Sequence, residues 1–367
     1  MKILFIILFL FSSSVWAQAV RYDWGPNPSE VLVPTWPNNP SASVSVDVGT
    51  SSEFTSALAL GDRRINFTAD ITVPGSITIS TNDNLIDLNG FTLTSNINTD
   101  SGMSRVEITN GVVNGNYFLF GQDILFDNVN IVGGAASDTV INATRFAIIN
   151  SNVRVDGTNF LTESASYGIF ANTLLEAVGP LDRPAIRVMS ADRLVIVDSR
   201  LVGFGNSPLR LHVGDPPATR GSNNIWVART DVIAQGIGAF WINRTAGAGA
   251  EPSATMRNIL VEDNTLYNTN FDINSDSAAD IPLYFDITIR RNHNNNGSVG
   301  LSPFGFGGDT ANGYIFHVSG PDTNTTGPSI TIPAFTGGYE SGGNPPVQPS
   351  GVDLGGLRLG GQGIKLN

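Results

Sequence analysis

One short pattern recurs along this chain and leaves few folds open to it. The segments LIDLNGFTL, VEITNGVV, LFDNVNI, AIINSNVRV, LVIVDSRLV, IWVARTDVI, ILVEDNTLY and ITIRRNHNN share it: alternating apolar residues, a polar residue, a small or polar one, and a second short strand. The spacing starts near about 20 residues and lengthens to about 30, as coils do when loops are inserted on one side. A coil of that size holds about three short strands and three turns and cannot bury its own apolar face, so coils must stack. The expected fold is all-β, a single-stranded parallel β-helix. A β-sandwich would instead require antiparallel hairpins with tight turns and no lengthening period. Stacking places the polar residues Asn110, Asn150, Asp198 and Asp263 above one another, where amides bond along the axis, so they read as a structural ladder rather than as catalysts.

Composition fits short strands and turns. Forty glycines accompany abundant Asn, Thr, Ser, Val and Ile, and only 14% of the residues are charged. The leader MKILFIILFLFSSSVWAQA has one Lys, an apolar run too short for a bilayer, and small residues at its end. It predicts a signal peptide over residues 1–17 and a secreted or periplasmic product without membrane insertion. Residues 18–60, rich in Pro and Trp, read as a cap over the first coil, whose strand edges would otherwise stay open. The helix is expected over 61–320, followed by a Gly/Pro-rich extension over 321–367. Cysteine is absent, which removes disulfides and thiol catalysis. A net charge of −12 argues against nucleic acid. Lys2 leaves with the leader and Lys365 lies in the tail, so functional positive charge falls to Arg or His.

The segments DRLVIVDSRLVGFG, SNNIWVARTDVI and MRNILVEDNTLY, with NLIDLNGFTL before them, resemble repeats of the pectate-lyase-like superfamily over roughly residues Ile65 to Gly320. The resemblance implies a right-handed solenoid of about nine to eleven coils. It specifies fold more than activity, because that superfamily includes polysaccharide lyases, glycoside hydrolases, esterases, tailspikes and adhesins. In its lyases the sheet preceding the first long loop lines the substrate groove.

Alternation assigns that sheet here. In AIRV, LRLH, FWIN and FDIN the apolar residues Ile186, Val188, Leu209, Leu211, Phe240, Ile242, Phe271 and Ile273 are predicted inward. Their neighbours form one outward column, Arg187, Arg210, Trp241 and Asp272, beside a second, Met189, His212, Asn243 and Asn274. Long loops leaving these strands carry Asp215, Arg220, Arg244, Glu251 and Asp276 toward His212 and Trp241. Such a face suits an acidic, uronate-containing polysaccharide bound by a monomer: Arg pairs with carboxylate and Trp offers a flat face to a sugar ring. For β-elimination, Arg187 or Arg210 would neutralise the uronate and His212 would act as base. Trp241, Asn243, Arg220, Arg244 and Asp272 would hold the substrate. Calcium could assist through Asp215, Asp272 and Asp276. Two alternatives stay open: a non-catalytic adhesin or glycan-binding surface, and a glycoside hydrolase pairing Asp272 with Asp215 or Asp276. No polygalacturonase-like NTD, DD, GHG and RIK series is present, and lyase patterns that require Lys do not fit.

Overall fold

The computed structural model describes residues 31–134, 138–161, 165–179, 183–204, 207–213, 221–244, 256–275, 284–295, 316–318, 323–325, 334–335 and 337–339. All of them belong to one compact unit, Asn27–Val352. Every ladder between its strands is parallel and joins a strand to one about a coil later, so the fold is a parallel β-solenoid. Three sheets run along it, named A, B and C in the order the chain visits them. Sheet A stacks Ile65, Ile86, Ile108, Phe126, Ile148, Phe170, Ile196, Val227, Val261 and Ile289 in register. All ten point into the core and are buried, which is what alternation predicts for one side of each strand. About seven turns follow one another regularly, slightly fewer than the nine to eleven expected.

The chain turns between sheets A and B through a single left-handed residue. Asn110, Asn128, Asn150, Asn172, Asp198, Arg229, Asp263 and Arg291 occupy this corner with φ between 49° and 57°. Asn and Asp tolerate that conformation because their short polar side chains bond locally. The stacked amides also bond one another: Asn128 donates to Asn110 at 3.2 Å and Asn172 to Asn150 at 2.9 Å. Farther along, the ladder becomes ionic, with Arg229 on Asp198 and Arg291 on Asp263, each through two nitrogens. The structural role expected for Asn110, Asn150, Asp198 and Asp263 is therefore what the fold uses them for.

Just inside this corner runs a second polar ladder. The backbone N–H of Thr173 donates to Ser199 Oγ, that of Ser199 to Thr230 Oγ1, that of Thr230 to Asn264 Oδ1, and that of Asn264 to Asn292 Oδ1. All five residues are buried, so each coil satisfies a turn amide of the coil before it.

Sheet A departs from simple alternation. Its outward residues Ala147, Ile169, Val195, Trp226 and Leu260 form one apolar column, and Ile149, Ala171, Val197 and Ala228 form another. Both columns are buried. Strands covered on both faces read as continuous apolar runs, and AII, GIFA, LVIV and IWVA are such runs.

Segments near both chain ends flank this sheet. Residues 31–43 run along the corner that precedes sheet A, in the direction opposite to the stacking. Backbone N–H groups of Ser43, Ser41, Asn38 and Leu32 donate to Asp62, Asp83, Asp123 and Asn224. Every third residue, Val31, Pro34 and Pro37, is buried, the periodicity of a polyproline II strand. Three residues of such a strand rise about 9 Å, close to the roughly 10 Å of two rungs. From Asn38 to Ser41 the strap covers the two rungs between Asp123 and Asp83, so its pitch matches the solenoid. At the corner after sheet A, Tyr339 donates its N–H to Asn152, and the Phe335 ring lies 5.3 Å from the Arg200 guanidinium carbon.

The helix Ser51–Leu60 closes the N-terminal end of the core. A reciprocal capping box between Thr50 and Glu53 starts it, and Phe54, Ala57 and Leu58 are buried. Phe54 meets Phe67 edge to face at 5.0 Å.

Candidate functional site

Sheet C carries the residues singled out from the sequence. Ile186, Val188, Leu209, Leu211, Phe240 and Ile242 are all fully buried, and between the first four Arg187 and Arg210 turn outward. Register pairs Arg187 with Arg210, Arg210 with Trp241, and Trp241 with Asp272. The column expected from alternation is thus present as successive backbone positions. Beside it, Met189, His212, Asn243 and Asn274 are paired in turn, and Arg244 follows on the same strand as Asn243, opposite Val213 and Ser275. Arg187 and Arg210 are half-buried. One rung separates them, about 4.8 Å, so two guanidinium groups stand on a short length of one sheet face.

Asp215, Arg220, Glu251 and Asp276 lie outside the described residues. Among the described residues no three His or acidic side chains are grouped to hold a metal ion. Many remaining charges serve the scaffold. Asp83 and Asp123 take bidentate bonds from Arg105 and Arg145 at the corner before sheet A. Arg200 pairs with Asp231 on the outside of sheet B. Glu262 accepts from Trp226 Nε1 as well as from Arg290 and Arg291.

The column also reaches farther than the sequence reading took it. Arg187 pairs with Phe160, Phe160 with Val140, Val140 with Phe118, and Phe118 with Asn98. Phe118 and Val140 are half-buried, as are Phe120 and Asn142 in the adjoining column. The signal was present in YFLF, where the buried Tyr117 and Leu119 alternate with Phe118 and Phe120. It was hidden because four aromatic and aliphatic residues in succession read as core.

Beside the rungs of Asn98, Phe118 and Val140 an open groove of about 450 Å³ lies at the corner between sheets B and C. Thr94, Ser95, Asn96, Asn114, Gly115 and Gly133 are among the residues lining it. Gly115 is required there, because a Cβ would strike the Ser95 carbonyl and the Asn96 amide nitrogen.

A scan against protein-family models matches none, and a search of curated proteins finds no significant relative. Among the described residues, no helix is long and apolar enough to cross a membrane.

Proposed function

We propose that this protein is an exported, carbohydrate-active β-helix of the pectate-lyase-like kind that binds a uronate-containing polysaccharide along sheet C and cleaves it by β-elimination. The observation that carries the reading is the register of Arg187 with Arg210 on adjacent outward rungs, a spacing comparable to one sugar unit. In the reaction a base removes the C5 proton, the electron pair is delocalised into the uronate carboxyl, and the C4=C5 double bond forms as the bond from C4 to the glycosidic oxygen breaks, with the leaving oxygen taking a proton from water. Arg210, with Arg187 beside it, neutralises the carboxylate as charge builds. His212, on the same strand as Arg210, takes the proton. Trp241, Asn243 and Asp272 continue the surface along which the polymer lies, with Arg220 and Arg244 at its edge. In this scheme Asp215, Asp272 and Asp276 would hold a calcium ion that adds positive charge beside the arginines.

The product is an unsaturated uronate that absorbs in the near ultraviolet, so pectate, alginate, glycosaminoglycan and ulvan can be screened directly. Arg210→Ala is expected to lower turnover about a hundredfold or more, and His212→Ala by a comparable factor. Unchanged turnover in both variants would reject the assignment. Reducing ends without absorbance would instead indicate hydrolysis. Export entails removal of residues 1–17, and mass spectrometry of the native protein should then find an N-terminus near Gln18.

A second reading, binding without cleavage, is favoured by the length of the outward column. Phe118 and Val140 extend it well beyond what a single bond cleavage needs. Binding with neither absorbance nor new reducing ends would establish that reading in place of the first.

A further inference from the structure

The outward face of sheet C changes chemistry along its length. Its C-terminal half presents Arg187 and Arg210. Its N-terminal half presents Thr78, Asn98, Phe118 and Val140 in register, with Phe120 and Asn142 beside them, and none of these ionises. The groove beside these rungs has no ionisable side chain in its lining either. Asn98 Oδ1 and Asn142 Oδ1 are shielded from solvent and accept no hydrogen bond. A buried amide oxygen left unmatched is costly, and a small side-chain rotation would turn it toward a ligand donor. A carboxylate offers no donor and a sugar hydroxyl does. The half-buried rings of Phe118 and Phe120, one rung from both amides, supply the flat apolar surface on which the C–H face of a sugar stacks.

From these observations, and resting on the function proposed above, we propose that the N-terminal half of sheet C binds uncharged sugar units of the same polymer whose uronates meet Arg187 and Arg210. The ligand is then a mixed polysaccharide of charged and uncharged units rather than a uronate homopolymer. Phe118 lies three rungs, about 14 Å, from Arg187, so the two chemistries are separated by a few sugar units of one chain.

The test titrates the full chain with two polymers of matched length: hyaluronan, which alternates uronate with N-acetylglucosamine, and polygalacturonate, which is uronate throughout. Hyaluronan is expected to bind at least tenfold tighter. Phe118→Ala is expected to remove about tenfold of that affinity, whereas Phe118→Tyr, which keeps the ring, retains it. Circular dichroism unchanged from wild type would show that the alanine variant still folds. Equal or tighter binding of polygalacturonate, or no loss in Phe118→Ala, overturns the inference. An Arg187→Ala, Arg210→Ala double variant separates it from the underlying reading. If that variant loses binding while Phe118→Ala does not, the Arg column stands and the uncharged platform fails. If only Phe118→Ala loses binding, the uncharged platform stands and the uronate site fails. Binding of neither polymer overturns both.

Discussion

At the scale of single residues, the corners of the coil concentrate the energetic cost of the fold. Asn150 donates at 2.8 Å to Asp127, a carboxyl on the outer side of sheet A whose pKa burial raises to about 6, against a partial lowering by that hydrogen bond. The folded state therefore holds this proton more tightly than the unfolded chain, for which the reference is 3.8. The resulting stability is complete below that value and is lost as pH rises through 6. Asp127→Asn keeps an acceptor for Asn150 and should remove the slope, raising stability near neutral pH by up to about 3 kcal/mol in urea unfolding. Asp83 behaves oppositely. Its pKa is lowered to about 2, chiefly by the hydrogen bond from Arg105, so its contribution is present above 3.8 and vanishes as pH falls toward 2. Gly115→Ala forces a methyl group into backbone that cannot retreat, and a loss of about 1–3 kcal/mol is expected by the same measurement.

At the scale of elements, the strap over residues 31–43 is the clearest case of one element selected by another. Two of its partners, Asp83 and Asp123, lie two rungs apart at the corner before sheet A, where Asp83, Arg105, Asp123 and Arg145 alternate in charge. Each carboxylate serves twice, accepting from the Arg of the next coil and from a strap amide. Removing one carboxylate should therefore loosen the strap locally. Asp123→Ala is expected to speed amide hydrogen exchange at Asn38 by tenfold or more while Ser43, held by Asp62, stays protected. Equal protection at Asn38 in wild type and variant would show that proline packing, not the hydrogen bond, fixes the strap. The ladder inside the corner after sheet A makes a parallel point. Thr230→Val strips the acceptor facing the buried Ser199 amide, and a cost of about 1–3 kcal/mol is expected in urea unfolding.

At the scale of the whole molecule, each coil touches its neighbours, and stability accumulates from coil to coil. The circular dichroism spectrum should show β-structure with little helix, since the described helix is 10 residues long. A largely helical spectrum would contradict the fold. Sheet A is lined by both strap and C-terminal segment along its edges, and its outward apolar columns are buried. Sheet C carries half-buried Arg and Phe side chains outward, which is why a polymer is placed there in the proposed function.

The repeat by itself determined the stacking, the inward residues of each strand, the corner ladder through Asn110, Asn150, Asp198 and Asp263, and the alignment of Arg187, Arg210, Trp241 and Asp272. All of these follow from one coil lying on the next, and a period along the chain encodes that relation directly. The tertiary structure decided the rest. Leu32 reaches Asn224 across 192 residues, and Tyr339 reaches Asn152 across 187, with no period to announce either contact. The burial of Ile169, Val195 and Trp226 on the outside of sheet A belongs to the same class. So does the link from Phe118 to Arg187, which passes through Val140 and Phe160 on coils that place Phe, Val, Phe and Arg at that position. Inward positions are constrained by a common core and repeat their chemistry, whereas outward positions answer to whatever each coil meets outside, so their meaning appears only when the coils are stacked.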